Sequence, residues 1–283
     1  MYRINHFKFH IVNHDNIKIP DNLKLFYENN DEYDYEYHIH CCDVIDVKEK
    51  DFSLNKPTIK VIMNGLLEKR YLYLYGASLP YASYEEVDEH KAVVYVIYDM
   101  IEFMDIDTIF ASLLALERRM QSFNQYILHS SFIQYNDHAI LFSAPSGTGK
   151  STQADLWKQY RNALIINGDR TLLSKNEYFI ANGWPLCGSS EICFNEHYPL
   201  SGIVFLSQGK ENNITDLEYK DAYKKLISEL TINYHNPLFI NSAMDFIEDL
   251  LKNIKVYHLT CDISEDAVIC LENKMKEDFV WMR

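Results

Sequence analysis

Residues 139–152, AILFSAPSGTGKST, are an apolar run broken by Pro145, then two glycines, a lysine and the hydroxyl pair Ser151-Thr152, a set suited to gripping a phosphate chain. From Ala144 to Ser151 the spacing follows G-x-x-x-x-G-K-[ST], with Ala144 where the first glycine would stand. Gly147 and Gly149 let successive backbone N–H groups turn towards an anion, because residues carrying a Cβ resist the φ values this needs. Lys150 is placed to reach the outer phosphates as a point charge, and the hydroxyl of Ser151 or Thr152 is placed to ligate Mg²⁺. The expected binding set for ATP or another nucleoside triphosphate is therefore Ser146, Gly147, Thr148, Gly149, Lys150, Ser151 and Thr152.

Such a loop has to be held between a strand and a helix, so that the positive end of the helix faces the anion. AILFSA reads as that strand and STQADLWKQYR as that helix. SFIQY, NALIIN, SGIVFL and KVYHLT read as further strands, and DLEYKDAYKKLISELTINY and SAMDFIEDLLKN as helices. Between Asp105 and Leu128 apolar residues recur near i, i+3, i+4 with no Gly or Pro, which predicts one long amphipathic helix capped by Asp105 or Asp107. Residues 1–105 differ: YDYEYHIH, IKVIMNG, KRYLYLYG and KAVVYVIY alternate apolar with polar and are rich in tyrosine. That pattern predicts an antiparallel, mostly β module with turns such as Asn64-Gly65. The expected division is a β-rich N-terminal module over residues 1–105 and a nucleotide-binding domain over 106–283.

At 283 residues, 47% apolar and 24% charged, the chain has the composition of a globular protein with a substantial core. Its 41 acidic against 27 basic residues give a charge of −14, which repels a phosphate backbone and argues against a nucleic-acid partner. The opening MYRINHFKFH lacks a continuous apolar core, and the run AVVYVIY falls far short of the roughly 18–20 residues of a membrane span, so a cytoplasmic protein without a membrane partner is expected. Six cysteines without paired spacing read as reduced thiols.

Several kinds of protein share this phosphate grip. LSQGK at 206–210 echoes the signature of transporter-type ATPases, but ENNITDLEYK follows it where an apolar strand ending in Asp-Glu belongs. A gluconate-type metabolite kinase carries the loop near its N-terminus and an arginine-rich lid after it, whereas here only Arg161, Arg170 and Arg283 follow. LHSSFIQYNDHAILFSAPSGTGKST instead resembles the heart of the bacterial HPr kinase/phosphorylase family, in which a histidine opening one strand is followed, across a hairpin, by a strand running into a GxSGxGKS loop. His129, 21 residues before Lys150, matches that histidine. In these kinases, and in the related ATP-dependent phosphoenolpyruvate carboxykinases, a strand then leads to a pair of acids. ALIINGDRTLL supplies Asp169, with Gly168 where the family usually has the other acid.

The resemblance implies an α/β fold with a mixed-sheet, HPr kinase/PEP carboxykinase-like P-loop domain behind the β-rich module. It implies transfer of the γ-phosphate of ATP, with Mg²⁺, to a hydroxyl, a seryl side chain of a peptide or protein first and a small molecule second. Catalytic residues would be Asp169, His129, Lys150 and Arg170, and metal ligands Ser151, Asp169 and Glu191, the last from GWPLCGSSE standing in for the missing acid. Asp169 could instead be base rather than ligand, or close a turn after a strand. HPr kinases form oligomers, which extends the expectation of a homo-oligomer to this chain. The arginine-rich signature of true HPr kinases is absent from the sequence, and a small-metabolite kinase or a nucleotide-binding regulatory protein with little catalysis stays open.

HIHCC at 38–42 sets His38, His40 and Cys42 on one strand face, as metal ligands could be. With no second ligand group at matching spacing, it reads as a structural strand. Cys187 and Cys193 read as packing residues within a Gly- and Pro-rich loop suited to shaping a substrate site.

Overall fold

The computed structural model describes residues 1–278 and divides the chain into two compact units, Met1–Arg119 and Met120–Arg283. Each is a mixed α/β structure built around its own sheet. The first contains β1 (Tyr2–Ile4), β2 (Phe7–Asn13), α1 (Asp21–Lys24), β3 (Tyr35–Cys42), β4 (Leu54–Lys56), β5 (Ile59–Asn64), β6 (Leu67–Leu72), β7 (Ala82–Asp88), β8 (Lys91–Ile97) and α2 (Asp107–Leu113). Helix α3 (Leu116–Ser122) spans the division.

The eight strands of the first unit run in the order β1-β2-β3-β8-β7-β6-β5-β4. The tight turn after Asn64 forms as expected, with Gly65 at φ 65° joining β5 to β6. The sheet is not antiparallel throughout, however: β2 pairs β3 and β3 pairs β8 in parallel. The alternation in β3 buries Tyr35, Tyr37 and Ile39 on one face, a pattern compatible with either direction. Alternation reports which face is buried and carries no information on strand direction.

The long helix expected over 105–128 is broken into two short helices. A 3₁₀ turn (Tyr98–Phe103) precedes α2, and α2 and α3 are separated by Ala115, held at φ 48°. Ala115 is fully buried, so packing overrides its helical preference there. Asn124, at φ 56°, then turns the chain into a strand. Ile106 occupies the N-cap of α2, and Asp107 sits in the first turn, its carboxylate accepting the Thr108 amide at 2.6 Å.

The second unit contains β9 (Tyr126–Tyr135), β10 (His138–Ser143), α4 (Lys150–Arg161), β11 (Leu164–Asn167), β12 (Arg170–Lys175), β13 (Phe179–Asn182), β14 (His197–Gln208), β15 (Asn213–Asp216), α5 (Tyr219–Glu229), α6 (Pro237–Asn253), β16 (Lys255–Cys261) and α7 (Glu265–Glu277). Two arrangements matter for function. β10, β14 and β16 are mutually parallel neighbours, so their carboxyl ends lie side by side. β9 changes partner along its length, its first half pairing β12 and its second half β11 and β10. Core residues fill both sides of this sheet: Phe132, Leu141, Ile203 and Phe246 belong to one cluster, and Phe142, Trp157, Val204 and Leu271 to the other. Among the described residues no helix is long and apolar enough to cross a membrane. All six cysteines are free thiols.

Candidate functional site

The glycine loop leaves the carboxyl end of β10 and enters α4, in the crevice where open α/β sheets bind ligands. Gly147 (φ 79°) and Gly149 (φ 121°) both adopt backbone conformations closed to L side chains, and Gly149 forms the N-cap of α4. A Cβ at either position would meet nothing within 4 Å, so the loop encloses open space on this side. The amide ends of α4 and the positive pole of its twelve residues face that space. Gln208, from the end of β14, braces the loop by donating to Thr148 O at 3.3 Å. Beside it lies a cleft of about 500 Å³ lined by Gly147, Gly149, Thr152, Gln208, Asp262 and Ile263. A hollow of similar size near His138 and Tyr178 includes none of the loop residues.

Lys150 is buried, and its Nζ donates to Ala144 O at 2.9 Å, folding the side chain back over the loop. This gives the first-glycine position a role that alanine fills equally well, because what Lys150 uses is the carbonyl. Burial pushes the Lys150 pKa below its ordinary value, against the opposing charges of Asp169 and Glu229. Ser151 is exposed at the start of α4, and Thr152 is half-buried behind it.

His129 stands where β9 changes partner, opposite Arg170 of β12 and one residue before Ser130 pairs with β10. Its ring bridges two carboxylates: Nε2 lies 3.2 Å from Asp169 Oδ1 and Nδ1 3.0 Å from Glu229 Oε2. Arg170 Nε approaches the other oxygen of Asp169 at 3.4 Å. The hydrogen bond with His129 holds Asp169 below the usual carboxylate range; burial opposes it, and the charges of Arg170, His129 and Lys150 add to it. His129, Asp169 and Arg170 are thus brought together within range of the Lys150 charge.

The turn carrying Asp169 is fixed from several sides. Asn167, fully buried, accepts the amides of Asp169 and Arg170 at 2.9 Å each and donates to Trp184 O and Leu186 O. Ser130 N donates to Asp169 O at 3.0 Å, and Ser131 Oγ to Gly168 O at 2.8 Å. Gly168 packs against the loop: a Cβ there would fall 2.2 Å from Ser190 Oγ. The space an additional acid would need at position 168 is taken by Ser190. Gly188, at φ 55°, lies over Asp169, where a Cβ would come within 3.0 Å of the carboxyl carbon. Trp184, Cys187 and Cys193 are buried and shape this loop from within, with Cys193 Sγ 3.2 Å from Trp184 O.

The second carboxylate at His129 is Glu229, the last residue of α5, a hundred residues away in sequence. Glu191 is exposed, at φ 55°, after the Gly188–Ser190 turn. Glu229 lies in a helix read only for its amphipathic pattern, and nothing local marks it. Asn167 did leave a signal, since an Asn before Gly-Asp at a strand end is a common side-chain cap for a turn.

No family model matches this chain, and no curated protein does. Among solved structures it is similar to that of the Hpr(Ser) kinase/phosphatase from Coxiella burnetii, at 11% identity and a TM-score of 0.30, over 53% of this chain and 97% of that one.

Proposed function

We propose that the second unit binds ATP with Mg²⁺ and transfers its γ-phosphate to a hydroxyl acceptor, on the HPr-kinase pattern, with a seryl side chain of a peptide or protein as the first candidate. The observation that carries this reading is the meeting of Asp169, His129 and Arg170 beside the glycine loop and Lys150. A loop that only held a nucleotide would have no need of an ionised carboxylate clamped by a histidine and an arginine on its open side.

The residues fit the groups. Two glycines at positive φ, the start of α4 and a buried lysine suit a triphosphate, and the exposed Ser151 hydroxyl suits Mg²⁺, with the Asp169 carboxylate within range of the Lys150 charge. Bound Mg²⁺ would spread the charge of the transferred group. Ser151 would hold the ion, while Lys150, released from Ala144 O, would turn its ammonium onto the outer phosphates. Asp169, kept ionised by His129, would accept the proton of the attacking hydroxyl, and Arg170 would balance the charge that builds up on the phosphoryl oxygens. Glu229 holds the far side of the His129 ring and so fixes the direction in which Asp169 faces. Such an arrangement would let the base act on the acceptor without a second acid at position 168.

The test is ATP binding by titration calorimetry and ADP release in the presence of Mg²⁺ and seryl peptides. Lys150→Ala should lose ATP affinity by at least tenfold. Asp169→Asn should bind ATP as the parent does and lose turnover by about 10²–10⁴. Equal turnover in Asp169→Asn and the parent would remove Asp169 from the chemistry, and undiminished affinity in Lys150→Ala would remove the loop from nucleotide binding.

A further inference from the structure

Three histidines of the first unit converge on the open face of its sheet. β2 and β3 pair in parallel with Val12 opposite His38 and Asn13 opposite Ile39, and the His14 amide donates to Ile39 O at 3.1 Å, continuing that register past the strand end. Side chains alternate along β3, so His38 and His40 stand on the face opposite buried Tyr37 and Ile39. His14 rises beside them from the adjacent strand. This is the ligand that spacing within residues 38–42 could not reveal, because it comes from a neighbour made adjacent only by parallel pairing.

The geometry is that of a ligand set. One ring nitrogen of each histidine lies within 4.8 Å of the others. His14 Nε2 and His38 Nδ1 are 3.1 Å apart, close to the roughly 3.3 Å that separates two nitrogens bound tetrahedrally at about 2.0–2.1 Å. Glu36 Oε2 sits 2.6 Å from His38 Nε2, which keeps a proton on that nitrogen and turns the Nδ1 lone pair towards the other rings. A carboxylate on the far nitrogen is how metal-ligating histidines are oriented. His14 and His40 stack at 4.1 Å and 9°, and His14 and His38 at 5.3 Å and 30°, so the three rings lie side by side on this face. Cys42, on the same strand, takes no part: it packs with the cluster of Ile45, Tyr71 and Tyr73.

We propose that His14, His38 and His40 bind one divalent transition ion of the Zn²⁺ class, with Glu36 orienting His38 and the fourth position open to water. Three imidazoles without a thiolate select a borderline ion over Mg²⁺ or Ca²⁺, which prefer oxygen. His14 is exposed, so the ion has a path from solvent.

The full chain, stripped with chelator, should take up one Zn²⁺ that is lost from the His38→Ala and His14→Ala variants, read by calorimetric titration and by metal analysis after dialysis. Affinity should fall at least tenfold in each. Glu36→Gln keeps all three imidazoles and should weaken Zn²⁺ by about ten- to a hundredfold, so it decides the matter even if an alanine variant fails to fold. With Co²⁺ as probe, the visible spectrum should show nitrogen and oxygen donors, and Cys41→Ser with Cys42→Ser should leave it unchanged. Zn²⁺ affinity equal in the parent, in Glu36→Gln and in a folded His38→Ala would overturn the assignment, as would a sulfur-to-cobalt charge-transfer band.

Discussion

Each unit contains a cluster of charged side chains, and the two are built to opposite rules. In the first, Arg118 sets two nitrogens on Glu86 at 2.6 and 2.7 Å, Arg70 meets Glu117 at 2.5 Å and also Glu68, and Arg119 reaches Glu86 while lying 4.0 Å over the Tyr35 ring. The side chains of Glu68 and Glu86 are at most 1% exposed. In the second unit the Asp169 side chain is 27% exposed and that of Arg170 37%, and their contact at 3.4 Å is long. The first cluster is closed, each carboxylate spent on guanidinium groups. The second is half-open, with oxygen lone pairs and donors still facing solvent beside the glycine loop. Paired charges that water cannot reach fix a conformation, whereas paired charges that a ligand can reach are available for chemistry.

The largest effect expected from this contrast is on stability in the first cluster. Arg118→Ala leaves Glu86 and Glu68 buried with an uncompensated charge, and removing one partner of such a set costs about 3–5 kcal/mol. Urea unfolding should show a midpoint well below that of the parent. Asp169→Asn, in the half-open cluster, should shift the same midpoint little. If the two substitutions destabilised equally, the distinction between a structural and a functional cluster would be lost.

How far each cluster could be read from the sequence follows from how it is assembled. The glycine loop, its lysine and its hydroxyls are contiguous, so their chemistry is written in residues 144–152. His129 and Asp169 are reached through the resemblance, which ties each to that loop by sequence distance; His129 lies inside β9, and Asp169 between β11 and β12. Glu229, Glu68 and Glu86 could not be placed, since they meet their partners only through helix docking and strand register. His14 escaped for the same reason, as the parallel pairing of β2 with β3 is invisible to alternation. The break at Ala115 was likewise hidden: alanine is the best of helix formers, and only burial makes it turn. The strand β10 and the helix α4, which hold the loop, were legible because the loop between them marks where one ends and the other begins.

An intermediate effect is expected where the two carboxylate turns are packed. Gly168→Ala drives a methyl group into Ser190, whose Oγ donates to Cys187 O at 2.6 Å and whose turn carries Gly188 over Asp169. Overpacking of this kind costs about 1–3 kcal/mol. Turnover should fall with it, because the Gly188 turn covers the carboxylate, while ATP affinity, set by the loop after β10, should hold. Ser190→Gly removes the colliding atoms, so the double variant should recover most of both losses. Stability restored without turnover would separate the turn from the chemistry.

The smallest effect is one of pH and distinguishes the half-open cluster most directly. Asp169 titrates below its ordinary 3.8 because of the hydrogen bond with His129, helped by the nearby positive charges. A carboxylate depressed in the folded state adds stability that is complete above pH 3.8 and is lost as the pH falls through the lower, folded value. Asparagine cannot titrate, so the difference in unfolding free energy between the parent and Asp169→Asn should be constant from about pH 6 to pH 5 and should shrink as the pH falls below 3.8. Its size should stay under about 1 kcal/mol, since water reaches over a quarter of the side chain and screens the pairing. His129→Gln removes the leading cause of the depression and should move the same limb upward in pH, towards 3.8. A limb at the same pH in the parent and in His129→Gln would mean that the ring does not hold the carboxylate, and with it the role of Glu229 in directing Asp169 would fall.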